Sequence, residues 1–396
     1  MAYCYKIEIQ SKYSLMKKAF LLFLFVITNV VSFAQWNNWT DANSVKRNLL
    51  LAQSKGKTYF SQYHLYNVRE KDIFSSKFKK QTGESLYIYG LDFYYSTGTY
   101  FRPSYKSKMR NNIIAVVKKQ WRERRAIPSF SWHLENPYVT SDFGVSMGCR
   151  FHTKRKGINY PKKHVYVINE ILNNKGDRCG MGRYKDDHTN NVSYPNPRKW
   201  FIDQCKEVAS IINEFVDDNG KPIPIIFRLW HECENSWQWW GSGMVSVSDY
   251  KKFFIYTEKL IKKYAPKSQI VWAYCPNRDW NTEQQYMLRY PGDDYVDIIG
   301  YDDYKLSDPY KFAKSREKAR IVSSVAERHK KIAGIFETAN TCKKTNNVFF
   351  KNYLSKILLD KQIRLGIVQI WGVGEFNHQS QYEDRKQFLN QPYIIK

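Results

Sequence analysis

Two glutamates stand at the ends of short apolar segments and could act together on one bond. Glu232 closes "IPIIFRLWHE" (223–232), and Glu337 lies near the end of "KIAGIFET" (331–338). A protonated and an ionised carboxyl group can break a glycosidic bond, because one protonates the departing oxygen and the other attacks the anomeric carbon. Their surroundings must then push the two pKa values apart. We expect apolar tryptophans to raise the pKa of Glu232 and hydrogen bonds from Tyr304 to keep Glu337 ionised.

Tryptophans follow Glu232 closely in the sequence. The segment "WQWWG" (237–241) contains Trp237, Trp239 and Trp240. Further tryptophans lie at or near other predicted strand ends, namely Trp132, Trp280 and Trp371. Because indole rings can stack on the flat C–H faces of sugars, this set suits a polysaccharide substrate. Core packing is the alternative for each ring, but a cluster directly after a strand end indicates an exposed loop.

The elements that must position these residues form a repeating pattern. Apolar, β-branched and aromatic runs predict eight strands, at 57–64, 86–94, 127–134, 223–232, 269–277, 296–304, 331–338 and 365–372. Helical patterns lie between most of them, including 111–124, 199–218 and 248–265. Alternating strands and helices predict a parallel sheet. Eight such units fit an α/β fold of the (β/α)8 TIM-barrel type, with a single catalytic domain.

The competing architecture is an open, doubly wound sheet. That fold usually carries a glycine-rich phosphate loop after its first strand. Gly56, Lys57 and Thr58 resemble the end of such a loop, but Leu51 stands where its first glycine is required. The sequence therefore favours the barrel, in which active sites lie at the carboxyl ends of the strands.

Polar or aromatic residues occur at the carboxyl end of every predicted strand. They are His64, Asp92, His133, His231 with Glu232, Asn277, Asp302 with Tyr304, Glu337 and Trp371. A barrel rim needs some polar groups in any case, and about half of these residues could serve only that purpose. A long insert at about 135–197 follows the third strand. We expect it to leave the barrel on the catalytic side, as a set of substrate contacts or as a solvated insert.

A zinc site is the other chemistry that His231 and Glu232 could indicate. The helical zinc motif HExxH needs a second histidine at position 235, where this chain has Asn. No CxxC spacing occurs either. We therefore expect no metal and no other cofactor.

The first 34 residues predict a leader that is not part of the fold. From Met16 the chain reads "MKKAFLLFLFVITNVVSFAQ", with two lysines, an apolar stretch and small residues at 32–34. This is the pattern of a signal peptide, and Met16 is the expected true start. A membrane anchor is the alternative, but the apolar run is short for a span of about 20 residues. We expect residues 1–34 as leader, residues 35–396 as the barrel domain, and a secreted or periplasmic protein.

The expected export would allow some of the cysteines to form disulfides. Cys149 and Cys179 flank one long irregular segment and could form a disulfide, with free thiols as the alternative.

The net charge of +26 would suit nucleic acid, but the basic residues are scattered and no nucleic-acid motif occurs. We expect a monomer that binds a polysaccharide, with no nucleic-acid partner and no stable membrane insertion.

The motifs in their order along the chain resemble glycoside hydrolase family 26, a β-mannanase family of the glutamate-pair barrel clan. The segments "RLWHE" and "WQWWG" stand at the spacing of that family's fourth-strand motif. The others are "SWH" at the third strand, "GYDDY" at the sixth, "GIFET" at the seventh and a tryptophan at the eighth. The resemblance runs from about residue 50 to the C-terminus. Leu229 replaces a usual proline, and Cys233-Glu234 replaces a more neutral stretch.

The resemblance implies a retaining hydrolase that cleaves β-1,4-mannosidic bonds within mannan, glucomannan or galactomannan. It implies Glu232 as acid/base and Glu337 as nucleophile. The residues that would hold the substrate or tune the glutamates are His133, Arg228, His231, Trp237, Asp302, Tyr304 and Trp371. Mixed-linkage β-glucan, β-1,3-xylan and release of mannobiose from chain ends are alternatives within the family. A barrel that binds glycans without cleaving them is the alternative from another class, although it would not need both glutamates.

Overall fold

The computed structural model describes residues 36–99, 101–138, 154–155, 158–159, 166–184, 187–234, 238–341, 348–371 and 379–396. The chain divides into two units, Met1–Trp39 and Thr40–Lys396. Only residues 36–39 of the first unit are described. The predicted leader at 1–34, and therefore the predicted boundary at residue 35, lies outside the described residues. The rest of this section concerns the second unit.

Thirteen strands are described, and nine of them form one parallel sheet. The strands are β1 Thr58–Gln62, β2 Ile88–Asp92, β3 Ile127–Ser131, β4 Lys154–Arg155, β5 Ile158–Asn159, β6 Cys179–Tyr184, β7 Asp187–Tyr194, β8 Ile225–Arg228, β9 Ile270–Tyr274, β10 Ile298–Asp302, β11 Ile332–Glu337, β12 Ile367–Ile370 and β13 Ile394–Ile395. The order in the large sheet is β13-β1-β12-β11-β10-β9-β8-β3-β2. All its strand pairs are parallel.

The sheet closes on itself between β1 and β2. A parallel bridge joins Tyr63, just after β1, to Gly90 in β2. Glycine is required there, because a Cβ at Gly90 would lie 2.5 Å from Cδ1 of the Tyr63 ring. Eight strands thus form the expected barrel. The short β13 pairs with the edge of β1 opposite to β12. The predicted (β/α)8 fold is confirmed, and each of the eight predicted strands contains one barrel strand.

Helices cover the barrel. They are α1 Ala42–Ser54, α2 Lys77–Thr82, α3 Pro103–Arg124, α4 Val167–Asn173, α5 Pro197–Asn213, α6 Val247–Tyr264, α7 Glu283–Met287, α8 Phe312–Arg328, α9 Ser355–Leu358 and α10 Gln379–Leu389, with two 3-10 turns at Tyr94–Ser96 and Asp293–Tyr295 and a π-helical turn at Phe350–Leu354. The three predicted helices correspond to α3, α5 and α6. Side-chain caps begin α5 and α6, because Asn196 and Ser246 accept hydrogen bonds from the backbone N–H groups of Lys199 and Asp249. Within the described residues no helix is both long and apolar enough to span a membrane.

The expected insert leaves the barrel after β3. Its described part contains α4 and two antiparallel strand pairs, β4–β5 and β6–β7. Cys179 is a buried free thiol, which agrees with the alternative of free thiols for this residue. Cys149 itself lies outside the described residues. The insert therefore starts at the carboxyl end of a barrel strand, as the sequence predicted.

Candidate active site

Arg228 is the centre of a buried polar network at the carboxyl end of the barrel. It is the last residue of β8 and is fully buried. Its Nη1 donates to both carboxylate oxygens of Asp302, at 2.9 and 2.7 Å. Its Nη2 donates to the hydroxyl of Tyr63 at 2.9 Å and to Oε1 of Glu337. One guanidinium group therefore ties together the ends of four strands, which fixes the position of the carboxylates.

Three carboxylates converge around this cation. One oxygen each of Glu232, Asp302 and Glu337 lies within 4.8 Å of one oxygen of both others. This agrees with the separation of about 5 Å expected for direct attack by one glutamate on the anomeric carbon. Three carboxylates could also ligate a metal ion, but here Arg228 contacts two of them and supplies positive charge from the chain itself. Burial raises the pKa of Asp302, and the charges of Glu337 and Glu232 raise it further while Arg228 opposes them.

Both oxygens of Glu337 are held by the protein. Oε1 accepts from Arg228, and Oε2 accepts a hydrogen bond of 2.6 Å from the hydroxyl of Tyr304. Burial raises the pKa of Tyr304, and the Glu337 charge raises it further, so the phenol remains a proton donor. The expected contact between Tyr304 and Glu337 is thus present. Two donors on one carboxylate fix the direction of both its oxygens.

The backbone before Glu232 is bent into an unusual conformation. Trp230 and Glu232 have φ values of +46° and +56°, in the left-handed region that favours glycine. Neighbouring groups hold each residue of this turn. Tyr250 donates to the Trp230 carbonyl at 2.9 Å, Trp240 Nε1 donates to the His231 carbonyl at 2.8 Å, and the Glu232 N–H donates to the Cys275 carbonyl at 2.9 Å. Such strain is retained where the surrounding structure over-determines it, as it does at many functional sites.

Two histidines face each other beside the carboxylates. The Nε2 atoms of His133 and His231 are 3.0 Å apart. His231 Nε2 also lies 3.9 Å from Oε1 of Glu337, and His133 Nδ1 lies 2.5 Å from Asp92. The expected site residues His133, Arg228, His231, Asp302 and Tyr304 are therefore brought together around Glu337.

The expectation that the tryptophan cluster lies in an exposed loop is wrong for the rings described. Trp239 and Trp240 are fully buried, and so are Trp132 and Trp280. Trp132, Trp239 and Trp240 pack against the ring of Trp230, at centroid distances of 5.3, 5.7 and 5.2 Å. Each indole N–H of the three is used within the protein. These rings support the turn that carries His231 and Glu232 and do not offer a face to sugar.

Among the tryptophans that the structure describes at this end of the barrel, Trp371 is the one that remains accessible. It is half-buried and directly follows β12. Its ring lies 4.9 Å from that of Tyr63 and 5.3 Å from that of His64. The expected substrate-binding residue Trp237 lies outside the described residues. Trp371 is thus the described ring that can form a wall for a sugar beside Glu337.

Glu234, which departs from the family pattern, is tied to the neighbouring strand end. Its Oε2 accepts the backbone N–H of Asn277 at 2.8 Å, and the Cys233 thiol donates to Oε1 at 3.3 Å. Burial raises the pKa of the Glu234 carboxyl to about 7. A carboxyl group that titrates near neutrality therefore lies two residues beyond Glu232.

Sequence reasoning left Tyr63 and Cys275 out of the site. Tyr63 accepts from Arg228, and the Cys275 thiol donates to Oδ1 of Asp302 at 3.0 Å. The sequence predicts Asp92 as a polar strand-end residue but not as a member of the substrate site. The sequence signal for Tyr63 and Cys275 is their position. Tyr63 directly precedes the strand-end residue His64, and Cys275 lies two residues before the strand-end residue Asn277.

Comparison with known proteins agrees with this geometry. The model of Glycosyl hydrolase family 26 matches residues 181–353, which confirms the resemblance predicted from the motifs. A mannan endo-1,4-beta-mannosidase of Bifidobacterium adolescentis is 34% identical over 109 residues, which are 27% of this chain and 11% of that protein. One of Bacillus subtilis is 24% identical over 238 residues, or 58% of this chain and 53% of that protein. The matched parts thus span about half or less of these relatives.

Solved structures resemble the chain over nearly its whole length. GH26C from Muricauda has a TM-score of 0.70 at 23% identity, covering 90% of this chain and 91% of that one. A GH26 beta-mannanase from Bacteroides ovatus has a TM-score of 0.67 at 19% identity, covering 88% of this chain and 93% of that one. At these identities the similarity establishes the shared barrel fold.

Proposed function

We propose that the protein is a retaining endo-β-1,4-mannanase in which Glu337 is the nucleophile and Glu232 the acid/base. The observation that carries the proposal is the convergence of their carboxyl oxygens within 4.8 Å at the carboxyl end of the barrel. That separation suits attack by a carboxylate and leaves too little room for a water molecule between carboxylate and sugar. The matched mannan endo-1,4-beta-mannosidases support the choice of substrate.

In the first step, Glu337 attacks the anomeric carbon of the bound mannosyl unit. Its Oε2 and Oε1 accept hydrogen bonds from Tyr304 and Arg228, so the attacking carboxylate is oriented before substrate arrives. Glu232 gives its proton to the glycosidic oxygen as the C–O bond breaks. The leaving chain departs as an alcohol, and the mannosyl unit stays bonded to Glu337.

In the second step, the ionised Glu232 removes a proton from water, and the water oxygen attacks the same carbon from the face that the leaving chain vacated. The bond to Glu337 breaks and its carboxylate is restored, so the two inversions give net retention. Arg228 and Tyr304 stabilise the charge that returns to Glu337 during this step. Trp371 would form the wall against which the sugar ring lies.

A reducing-end assay on four polysaccharides tests the substrate. We expect release from galactomannan and glucomannan and little from lichenan or β-1,3-xylan. Early products of mixed lengths would indicate endo action, whereas mannobiose alone would indicate release from chain ends. Glu337→Gln is the matched inactive control, because it keeps the size of the side chain. Binding without release by the wild type would favour a non-catalytic glycan-binding barrel and overturn the proposal.

We also propose that the protein is exported and acts as a monomer. The support is the signal-peptide pattern that starts at Met16. N-terminal sequencing of protein from the periplasm or culture medium should give a mature chain that begins near Gln35. A full-length chain confined to the cytoplasm would contradict export, and a dimer in light scattering would contradict the monomer.

A further inference from the structure

Asp92 accepts an unusual number of hydrogen bonds for a residue without a part in the two-step reaction. It is the last residue of β2, and its side chain is 14% exposed. Oδ2 accepts from the Ser131 hydroxyl at 2.5 Å and contacts His133 Nδ1 at 2.5 Å. Oδ1 accepts the backbone N–H groups of Tyr94 at 2.8 Å and of His133 at 3.2 Å. Burial alone would raise the pKa of Asp92, but His133 and these donors hold it below its ordinary value.

Only one proton can lie between the Nε2 atoms of His133 and His231. Their Nε2 atoms are 3.0 Å apart and the rings are nearly perpendicular, at 83°. If both nitrogens carried hydrogen the two would repel each other, and if neither did there would be no hydrogen bond. His133 Nδ1 already donates to Asp92, so the shared proton decides the charge and the tautomer of both rings.

The surroundings put the positive charge on His133. Burial lowers the pKa of His133, but the Asp92 charge and hydrogen bond overcome it and raise the pKa above 6.5. Burial lowers the pKa of His231 well below 6.5, and the charges of Arg228 and His133 lower it further. His231 is then neutral, accepts at Nε2 and carries its proton on Nδ1. That Nδ1 is buried and has no hydrogen-bond partner in the part of the chain that the structure describes.

The other charged groups near the pair lie at the ends of β8 and β11 and in the segment after β1. Glu337 from β11 favours the cationic form of His133, and Arg228 from β8 opposes it. His64, which follows β1, lies in the field of Asp92, Arg69, Glu337 and His133, and burial lowers its pKa. Among these groups Asp92 is the one in direct hydrogen-bond contact with His133 through a charged oxygen.

We propose that Asp92 is a positioning residue for the reaction: it keeps one positive charge on His133, beside the nucleophile, and thereby fixes His231 as the neutral tautomer protonated on Nδ1. The inference deepens the proposed function and rests on it for its kinetic part alone. Without the Asp92 charge, His133 would lose its proton at neutral pH. The proton between the rings would then come from His231, whose tautomer would change, and Glu337 would lose a nearby cation.

Imidazole nitrogen NMR on the wild-type protein tests the tautomer directly. The chain has eight histidines, so the resonances can be assigned with single His→Gln variants. We expect a doubly protonated His133 and a His231 protonated on Nδ1 at pH 7. A His231 protonated on Nε2, or a neutral His133, would overturn the proposal. The protonation of the two histidines does not depend on which polysaccharide the protein cleaves. The NMR result can therefore be distinguished from a failure of the proposed function.

Asp92→Asn supplies the kinetic test, since the amide keeps an acceptor and loses the charge. We expect the imidazolium signal of His133 to vanish at pH 7 and kcat to fall roughly tenfold or more there. The loss should shrink as the pH is lowered toward 5, because protonation of His133 becomes more favourable, while KM changes little. Asp384→Asn is the control, because Asp384 is a buried carboxylate that accepts backbone N–H groups far along the chain. An equal loss of kcat at both pH values would indicate a merely structural role and refute the proposal.

Discussion

The hydroxyl of Tyr304 donates a 2.6 Å hydrogen bond to Oε2 of Glu337, while Arg228 occupies the other oxygen of the same carboxylate. The direction of the Glu337 carboxylate is therefore set before any sugar binds. Removal of the Tyr304 hydroxyl should leave Oε2 without this donor while Arg228 still holds Oε1, and should weaken the departure of Glu337 in the second step. Tyr304→Phe should lower kcat by roughly 10- to 100-fold, the range of one hydrogen bond to a charged group.

The matched control for this variant is Tyr301→Phe. Tyr301 lies on β10, three residues before Tyr304, and its buried hydroxyl has no hydrogen-bond partner among the described residues. We expect its steady-state rate on galactomannan to equal that of the wild type. If Tyr304→Phe also matches the wild type, the hydrogen bond does not contribute to turnover.

The roles of the two glutamates can be separated by the leaving group. Glu232→Ala should slow the cleavage of mannan by roughly 1000-fold. The variant should cleave an activated aryl mannobioside much faster than mannan, because an activated leaving group needs little protonation. Added azide should then speed turnover of the aryl substrate, since azide attacks without a general base. Glu337→Ala should lose activity on both substrates. Equal losses for both variants on both substrates would mean that the roles are assigned wrongly.

Glu234 should make stability depend on pH near neutrality. Burial raises its pKa from 4.5 to about 7, so the folded protein holds this proton more tightly than the unfolded chain. The resulting stabilisation is present below the unfolded value and is lost as the pH rises through about 7. Between pH 5 and pH 8 the wild type should therefore lose stability that Glu234→Gln does not lose, by at most about 3 kcal/mol.

Thermal melting at the two pH values gives this measurement. Glu123→Gln is the control, since Glu123 lies on the surface of α3 with its side chain 50% exposed. The control should follow the wild type. Parallel curves for the wild type and Glu234→Gln would show that Glu234 is already ionised at pH 5.

Barrel closure should depend on the absence of a side chain at Gly90. A Cβ there would lie 2.5 Å from Cδ1 and 2.9 Å from the Cα of Tyr63, so backbone must move. Gly90→Ala should cost about 1–3 kcal/mol of unfolding free energy and reduce activity, because Tyr63 holds Arg228. Chemical denaturation measures the first effect. Gly56→Ala, with left-handed backbone but open space, should cost about 1 kcal/mol and leave activity unchanged.

The tryptophans should divide into two groups by their effects. Trp239→Ala leaves a cavity in the core behind the active site and should reduce the unfolding free energy by about 3–5 kcal/mol. Trp371→Ala removes a half-buried ring and should raise KM for mannan with a much smaller effect on stability. Melting temperatures and KM values for both variants provide the check. A large rise in KM for a stable Trp239→Ala would restore that ring to the substrate site.

Much of this architecture could be predicted because its signals are local. Each barrel strand is a short apolar run, and the polar residue at its end, such as Asp302 or Glu337, is visible in the sequence. The burial of Trp239 and Trp240 could not be predicted, because it depends on how the segment after β8 folds back on Trp230 and on the residues that follow β3. The same holds for Tyr63, whose hydroxyl reaches Arg228 only because β1 and β8 curve around one barrel. Contacts across the barrel mouth follow from closure, which no single segment specifies.

The left-handed residues Trp230 and Glu232 have a consequence for how this protein can evolve. Each conformation costs roughly 1–2 kcal/mol in a residue other than glycine. A glycine at position 232 would relieve that cost and remove the carboxyl group at the same time. Selection for stability alone would therefore favour glycine at this position, at the expense of the proposed acid/base. Substitutions meant to raise the heat resistance of this protein should be directed to the helices and leave this turn unchanged.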